Sequence, residues 1–302
     1  STIYPIPEGN KGTYVCHYFA REWIKMGYNV RVIHFQAIYP IYFYWVARLF
    51  RALIASRTGA IVYTKKEKEV SQYEMENVLI YKLPIYKKKP HGSFSEKEIT
   101  KQLTIINKKV TNDFVPDIIV GHFPNPQLRI VNELKKLFPN ARTAMVLHGE
   151  IPQIRKIYGD NTDKFIKAVE VWGFRSKTIQ QNFEDMYGNV NNSFICYSGI
   201  PQNYPVETNN RTFLRVHNFM YVGELIKRKY PEKILSALIS VYPDKNFKLM
   251  YVGEGRERNH LKALLDSQHL NEQVSLKGQI PRDKIKQLYD KADCMIMISK
   301  GE

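Results

Sequence analysis

Short apolar segments alternate with amphipathic segments along most of the chain. Three apolar runs in the last third, at residues 219–222, 247–252 and 294–298, are continuous, which is typical of strands buried on both faces of a parallel sheet. Earlier strand candidates lie at residues 30–35, 77–83, 117–121, 143–147, 169–174 and 194–197, and helical patterns lie at residues 12–26, 95–112, 127–137 and 176–187. This alternation predicts an α/β protein whose parallel sheets are wrapped by helices.

A stretch without apolar periodicity divides this pattern into two parts. Residues 201–215 read PQNYPVETNNRTFLR and are rich in Pro, Asn and Thr. The 302 residues are enough for two domains of about 100–200 residues each. We predict an N-terminal Rossmann-like, doubly wound domain at residues 1–203, a linker at residues 204–215 and a second such domain at residues 216–302.

The cysteines give no sign of a disulfide framework or a metal site. Cys16, Cys196 and Cys294 are odd in number and far apart, and none belongs to a C-x-x-C pair. This usage is typical of reduced thiols in a cytosol. The sequence also lacks a D-x-D motif and any run of about 18 apolar residues that would predict a membrane-spanning helix.

Four sequence blocks follow one another between Val222 and Glu302. They read VGELIKRK, VGEGRER, VSLKGQIP and ADCMIMISKGE. Their order and spacing resemble the C-terminal half of the family 4 (group 1) retaining glycosyltransferases of GT-B fold. The resemblance implies two Rossmann-like domains facing a cleft. It also implies transfer of a sugar from a nucleoside-diphosphate donor with retention of configuration, without a metal or another cofactor.

The same resemblance implies a chain that is truncated at both ends. The family's E-x7-E motif would begin at Glu302, so its second glutamate would lie beyond the last residue. Only Ser1–Tyr4 precede Pro5, where the family has a full first strand. We therefore expect an incomplete second domain and, for the chain as given, no turnover.

On the donor side, the resemblance assigns roles to residues that match the family's motifs. Lys229 takes the position of the basic residue that holds the donor diphosphate, with Arg228 beside it, and such a charge stabilises a leaving group. Gly223 and Ile280 match residues of the donor-binding loops. Glu302 takes the position of the first glutamate, which hydrogen-bonds the donor sugar, and is assigned as catalytic.

One residue departs from the family's pattern. Glu224 follows Gly223 directly, where the family usually has an arginine. Because a carboxylate does not bind a diphosphate, Lys227 and Arg228 would have to take over. A solvated charged loop is the alternative interpretation of this segment.

In the N-terminal half, the glycines of PEGNKGTY precede a helical pattern. Glycine lets the backbone approach a phosphate, and a helix N-terminus adds N–H donors. We assign Gly12 to the donor and Gly9 to the acceptor side. His148 ends the strand AMVLH and is assigned as catalytic, facing the donor sugar, while His122 is placed near the acceptor. A plain loop and partly buried histidines are the alternatives.

The net charge of +16 points to an anionic partner. No helix-turn-helix, zinc-finger or RNP-type signature is present, so we expect no nucleic-acid partner. Residues 36–57, from Gln36 to Arg57, are aromatic and aliphatic with interspersed arginines, as in a helix lying in a membrane interface. The lysine-rich residues 82–89, from Lys82 to Lys89, would add attraction to an anionic membrane. A buried core helix is the alternative for the first segment.

Together these features predict an enzyme that transfers a sugar to a glycan or lipid-linked acceptor. The setting implied by the family is bacterial surface polysaccharide or glycolipid synthesis, in the cytoplasm or on the inner face of the membrane. Two other classes stay open. A nicotinamide-dependent oxidoreductase would need G-x-G-x-x-G, but Arg258 stands where the third glycine is expected after Gly253 and Gly255. A non-catalytic nucleotide-sugar-binding module would explain Glu224.

Overall fold

The computed structural model describes residues 4–5, 13–58, 66–88, 92–149, 151–197 and 216–300. The chain divides into two compact units, Ser1–Trp45 with Tyr63–Gly199 and Val46–Val62 with Ile200–Glu302. The predicted linker lies outside the described residues, as do Gly9, Gly12 and Glu302. The predicted domain limits and the roles of these three residues therefore stay predictions.

In the first unit, one sheet is formed by β1 (Arg31–Ile38), β2 (Ser71–Met75) and β3 (Val78–Tyr86), in the order β1-β3-β2. β1 and β3 are parallel, and β2 runs antiparallel to β3. α1 (Val15–Lys25) precedes β1, and α3 (Glu96–Lys109) follows β3. α2 (Ile41–Thr58) follows β1 along the chain, and its residues from Val46 onward belong to the second unit.

A second sheet of this unit is parallel throughout. It contains β4 (Ile118–His122), β5 (Arg142–Leu147), β6 (Val171–Phe174) and β7 (Ser193–Ile195) in sequential order. The helices between and beside these strands are α4 (Gln127–Leu137), α5 (Ile151–Tyr158), α6 (Thr162–Lys167) and α7 (Lys177–Tyr187). All carboxyl ends of these strands therefore lie at one edge of the sheet.

The two sheets of the first unit share one apolar core. Leu83 of β3, Met145 of β5 and Trp172 of β6 belong to the same buried cluster. Trp172 packs against Phe183 of α7, with ring centroids 4.7 Å apart. The apolar residues of the runs at residues 219–222 and 247–252 are largely buried as expected, but the run at residues 294–298 is not, because Met295, Met297 and Ile298 are exposed. The predicted α/β class is confirmed.

Local sequence signals set the limits of several helices. The hydroxyl of Ser95 accepts a hydrogen bond from the N–H of Glu98 (3.3 Å) and caps α3, and the hydroxyl of Ser176 accepts one from Ile179 (3.2 Å) at the start of α7. α1 ends before Gly27, which has φ +90°, as predicted for a glycine after a helix.

The most deeply buried residues of α1 are not its aromatic ones. The helical pattern of the sequence places Tyr14, Val15, Tyr18, Phe19, Trp23 and Ile24 on one face. The side chains that are fully buried are Cys16, His17 and Ala20, while the predicted set is only partly covered. Burial of His17 is tolerated because its Nδ1 is hydrogen-bonded to the Tyr4 hydroxyl at 2.7 Å.

In the second unit, β8 (Asn218–Val222), β9 (Lys248–Val252), β10 (Val274–Gly278) and β11 (Cys294–Met295) form a parallel sheet in the order β10-β9-β8-β11. α8 (Pro231–Val241), α9 (Arg258–Ser267) and α10 (Arg282–Tyr289) follow β8, β9 and β10. A separate core contains Tyr221 and Tyr251, both fully buried.

The two segments predicted to meet a membrane are only partly as expected. Gln36 is buried within β1, so the helix of residues 36–57 begins only at Ile41. Lys82 lies within β3, and its Nζ is 2.6 Å from Glu67 Oε2, so this lysine already has a carboxylate partner. Lys89 lies outside the described residues. Among the helices described, none combines the length and the apolar character needed to span a bilayer.

Candidate functional site

Polar residues of the first unit follow three neighbouring strands of the parallel sheet. His122 is the last residue of β4, His148 comes directly after β5, and Arg175 directly after β6. His122 is buried and His148 is half-buried. Ligands of doubly wound sheets bind at this carboxyl edge, so the predicted position of both histidines at strand ends matches the structure.

The two histidines form a directly hydrogen-bonded pair. His122 Nδ1 lies 3.1 Å from His148 Nε2. Burial, followed by the neighbouring His148, holds the pKa of His122 well below its ordinary value. Burial and then Arg175 lower the pKa of His148 to about 4. Both imidazoles are therefore neutral at pH 7 and can each donate one hydrogen bond and accept another.

Aromatic rings hold this pair in place. The ring centroid of Phe19, on α1, lies 5.3 Å from that of His122, and the Phe123 ring stacks on His148 at 4.1 Å. The N–H of Phe123 donates to the carbonyl of Val146 (3.2 Å), which joins the ends of β4 and β5. Phe123 has φ +66°, a left-handed conformation that costs a residue with a side chain about 1–3 kcal/mol.

The structure adds Cys16 to this edge, a position that was not predicted from the sequence. Its Sγ and one ring nitrogen each of His122 and His148 lie within 4.8 Å of one another. Cys16 lies on α1, so only the packing of this helix brings it to the strand ends. The feature of the sequence that could have pointed to Cys16 is its position near the start of the predicted helix, directly after the glycine-containing loop.

In the second unit, the loops after β8 and β9 contact each other backbone to backbone. Gly223 (φ +159°) donates its N–H to Val252, and Gly253 (φ +141°) donates its N–H to Gly278. A Cβ on Gly253 would lie 1.9 Å from the carbonyl oxygen of Gly223. Glycine is therefore required at position 253 by both backbone conformation and space.

A basic 3₁₀ turn, Lys227–Lys229, follows β8. Lys227 and Arg228 are exposed, whereas Lys229 is half-buried. Burial and then Arg228 lower the pKa of Lys229, while the carboxylate of Glu224 acts in the opposite direction. The predicted diphosphate-binding residues thus lie together at the carboxyl edge of this sheet.

The segment before the predicted catalytic glutamate reaches the same turn. The N–H of Lys300 donates to the carbonyl of Arg228 at 2.8 Å. Ile280 lies two residues after β10 and is half-buried. The roles assigned to Gly223, Arg228 and Ile280 stay predictions, because position alone does not test them.

Comparisons with known proteins give a family-model match for the C-terminal part of the chain and a similar fold for most of it. Residues 212–302 match the family model of glycosyl transferases group 1. A search among curated proteins finds no sequence that matches this chain. The fold is similar to the apo form of the lipopolysaccharide outer core galactosyltransferase WaaB, with a TM-score of 0.54 and 12% identity over 89% of this chain and 74% of that chain.

Two further solved structures have the same architecture. A trehalose-6-phosphate synthase analysed with bisubstrate glycomimetics gives a TM-score of 0.54 and 13% identity over 90% of this chain and 78% of its own. HepE of Anabaena in complex with UDP and glucose gives a TM-score of 0.51 and 14% identity over 90% of this chain and 74% of its own. The fold of the chain is that of the GT-B glycosyltransferases, and its residues 212–302 match glycosyl transferases group 1.

Proposed function

We propose that the protein transfers a sugar from a nucleoside-diphosphate donor to a glycan or lipid-linked acceptor with retention of configuration. The observation that carries this proposal is the basic turn Lys227–Lys229 at the carboxyl end of β8, inside the region that matches glycosyl transferases group 1. Two proteins of similar fold agree with the proposal. HepE was solved in complex with UDP and glucose, and trehalose-6-phosphate synthase is described as an enzyme of glycosyl transfer with retention.

On the donor side, charge is concentrated where a diphosphate would leave. Lys229 is half-buried, so its ammonium group interacts with an anion in a lower dielectric than a fully exposed lysine would. Arg228 adds a second, exposed cation. These side chains would stabilise the charge that develops on the departing diphosphate, which in the proposed front-face mechanism also helps to deprotonate the acceptor hydroxyl.

In the first unit, the neutral imidazoles of the histidine pair suit the recognition of hydroxyl groups. A neutral His148 would hydrogen-bond the donor sugar, and His122 would lie toward the acceptor. The proposal uses these rings to orient the sugar rather than to form a covalent intermediate. It requires no resident metal or organic cofactor.

A binding module without turnover is the second candidate, and Glu224 favours it. Its carboxylate is exposed directly after Gly223 and acts electrostatically on Lys229. Such a charge reduces the stabilisation of the additional negative charge that develops on a departing diphosphate, which lowers turnover. The two candidates differ in turnover and not in donor binding.

Thermal unfolding with a panel of ligands tests the proposal. We expect one of UDP, GDP, ADP and dTDP, alone or as a nucleotide sugar, to raise Tm, since a ligand at 100 times its Kd stabilises the folded state by about 2.7 kcal/mol. Stabilisation by NADH and by none of the diphosphates would replace the proposal with an oxidoreductase. Stabilisation without sugar transfer to any glycan or lipid-linked acceptor would favour the binding module.

We also propose that the protein works at the inner face of the cell membrane, in surface polysaccharide or glycolipid synthesis. α2 buries Tyr44 and Ala47, and before the kink at Phe50 it exposes an apolar face that consists of Ile41, Tyr42, Trp45, Val46 and Leu49. This spacing is that of one helix face, and the described part of α2 contradicts a buried core helix. Exposed Arg48 beside this face suits anionic headgroups.

Vesicle co-sedimentation with anionic phosphatidylglycerol tests the membrane proposal. Leu49→Glu should lower the partition coefficient about tenfold or more, because burying a leucine side chain contributes about 1.5–3 kcal/mol. Val115→Glu is the matched control, since Val115 is 76% exposed and Leu49 is 78% exposed. Equal loss in both variants, or no binding by the unmodified protein, would contradict a role for α2.

A further inference from the structure

Three metal-ligating side chains converge in the first unit from three separate elements. Cys16 comes from α1, His122 from the end of β4 and His148 from the residue after β5. One ligand atom of each lies within 4.8 Å of the other two, and His122 Nδ1 is 3.1 Å from His148 Nε2. Sequence reasoning predicted no such cluster because these residues are 26 or more positions apart.

The spacing fits a tetrahedral ion. With Zn–N bonds of about 2.0–2.1 Å and Zn–S bonds of about 2.3 Å, ligand atoms around zinc are about 3.3–3.6 Å apart. The two ring nitrogens are already near this separation, and the sulfur needs to move by roughly 1 Å or less. One thiolate and two imidazoles suit zinc, whereas magnesium and calcium require oxygen ligands.

The surroundings resemble those of a metal site with an open position. Phe19 and Phe123 flank the two imidazoles and restrict their rotation. Cys16 and His122 are buried, whereas His148 is half-buried, so one of the three ligands is accessible from solvent. Preoriented ligands favour binding, whereas the guanidinium of Arg175, which acts on both histidines, opposes a cation and lowers the affinity.

We propose that Cys16, His122 and His148 form a binding site for Zn²⁺. Binding replaces the hydrogen bond between the two histidines with two metal–nitrogen bonds and releases the thiol proton of Cys16 to solvent. A consequence, which rests on the proposed function, concerns His148. The ion takes its Nε2, which is hydrogen-bonded to His122 in the metal-free site, and leaves Nδ1 as the ring nitrogen that can contact the donor sugar.

Cobalt serves as the probe because its spectrum reports the ligands without any sugar donor. Titration of the untagged, reduced chain with Co²⁺ should give a thiolate-to-cobalt charge-transfer band and tetrahedral visible bands, and Zn²⁺ should displace both. Cys16→Ala should abolish the charge-transfer band and weaken Zn²⁺ binding at least about tenfold. His148→Gln should weaken it to a similar extent and serves as a second, less buried variant.

Cys196→Ala is the matched control, because Cys196 is a half-buried thiol that lies outside the cluster. Its spectrum should equal that of the unmodified protein. The absence of a charge-transfer band in the unmodified protein overturns the proposal, as does a band that survives Cys16→Ala or that disappears in Cys196→Ala. Failure of sugar transfer leaves the spectrum unchanged, so the two proposals fail separately.

Discussion

Replacing Lys229 with alanine in the full-length protein is expected to lower kcat for sugar transfer by about 10²–10³-fold, the range for loss of one preorganised electrostatic stabiliser. The half-buried ammonium group lies in the basic turn after β8. Its charge counts most when the diphosphate departs, so the loss should fall mainly on kcat and less on KM. Steady-state kinetics at saturating acceptor measure this split.

Lys227→Ala is the control for this prediction. Lys227 carries the same charge in the same turn but is exposed, and solvent screens it. We expect its kcat to change less than about threefold, well below the effect of one preorganised stabiliser. If Lys229→Ala falls within that small range while Lys227→Ala or Arg228→Ala does not, the diphosphate is held by another residue of the turn.

Gly253→Ala is expected to destabilise the second unit by about 3 kcal/mol or more, because conformational strain and overpacking each cost about 1–3 kcal/mol. The added Cβ would overlap the carbonyl oxygen of Gly223, and φ +141° is strained for alanine. The atoms nearest to the added Cβ are backbone atoms of Gly223, and they cannot move aside as the end of a flexible side chain would. Donor binding should be lost together with this stability.

Urea unfolding followed by two probes measures the effect. Trp23, Trp45 and Trp172 all belong to the first unit, so tryptophan fluorescence reports that unit, while far-ultraviolet circular dichroism reports both. The control is Gly27→Ala. Gly27 also has a positive φ of +90°, but an added Cβ there would have no atom within 4 Å. This substitution should therefore cost only the conformational strain, about 1–2 kcal/mol. An unchanged dichroism midpoint in Gly253→Ala contradicts the prediction.

Much of the secondary structure could be predicted because burial leaves a direct mark on sequence. The predicted helix at residues 127–137 has the same limits as α4, and the continuous apolar run at residues 143–147 lies within β5. β2 was missed because its SQYEM is polar and forms the antiparallel edge of its sheet. β11 is shorter than predicted, and Met297 and Ile298 beyond it are exposed.

The candidate site was predictable only where chain position fixes location in space. Residues at the carboxyl ends of neighbouring parallel strands must meet, so His122 and His148 could be paired from sequence. Cys16 could not, because its contact depends on how α1 packs. The aromatic face of α1 is only partly buried, whereas Cys16 and Ala20, which are small enough for close packing, are buried.

The hydrogen bonds between the strand-end loops of the second unit determine how an anion could be held there. The N–H groups of Gly223, Leu225 and Gly253 all donate to carbonyl oxygens of neighbouring loops or strands. These amides are therefore occupied and do not form a phosphate-binding nest. A diphosphate at this edge would depend on long, cationic side chains, so its affinity should decrease markedly with ionic strength, unlike that of a site built from backbone amides.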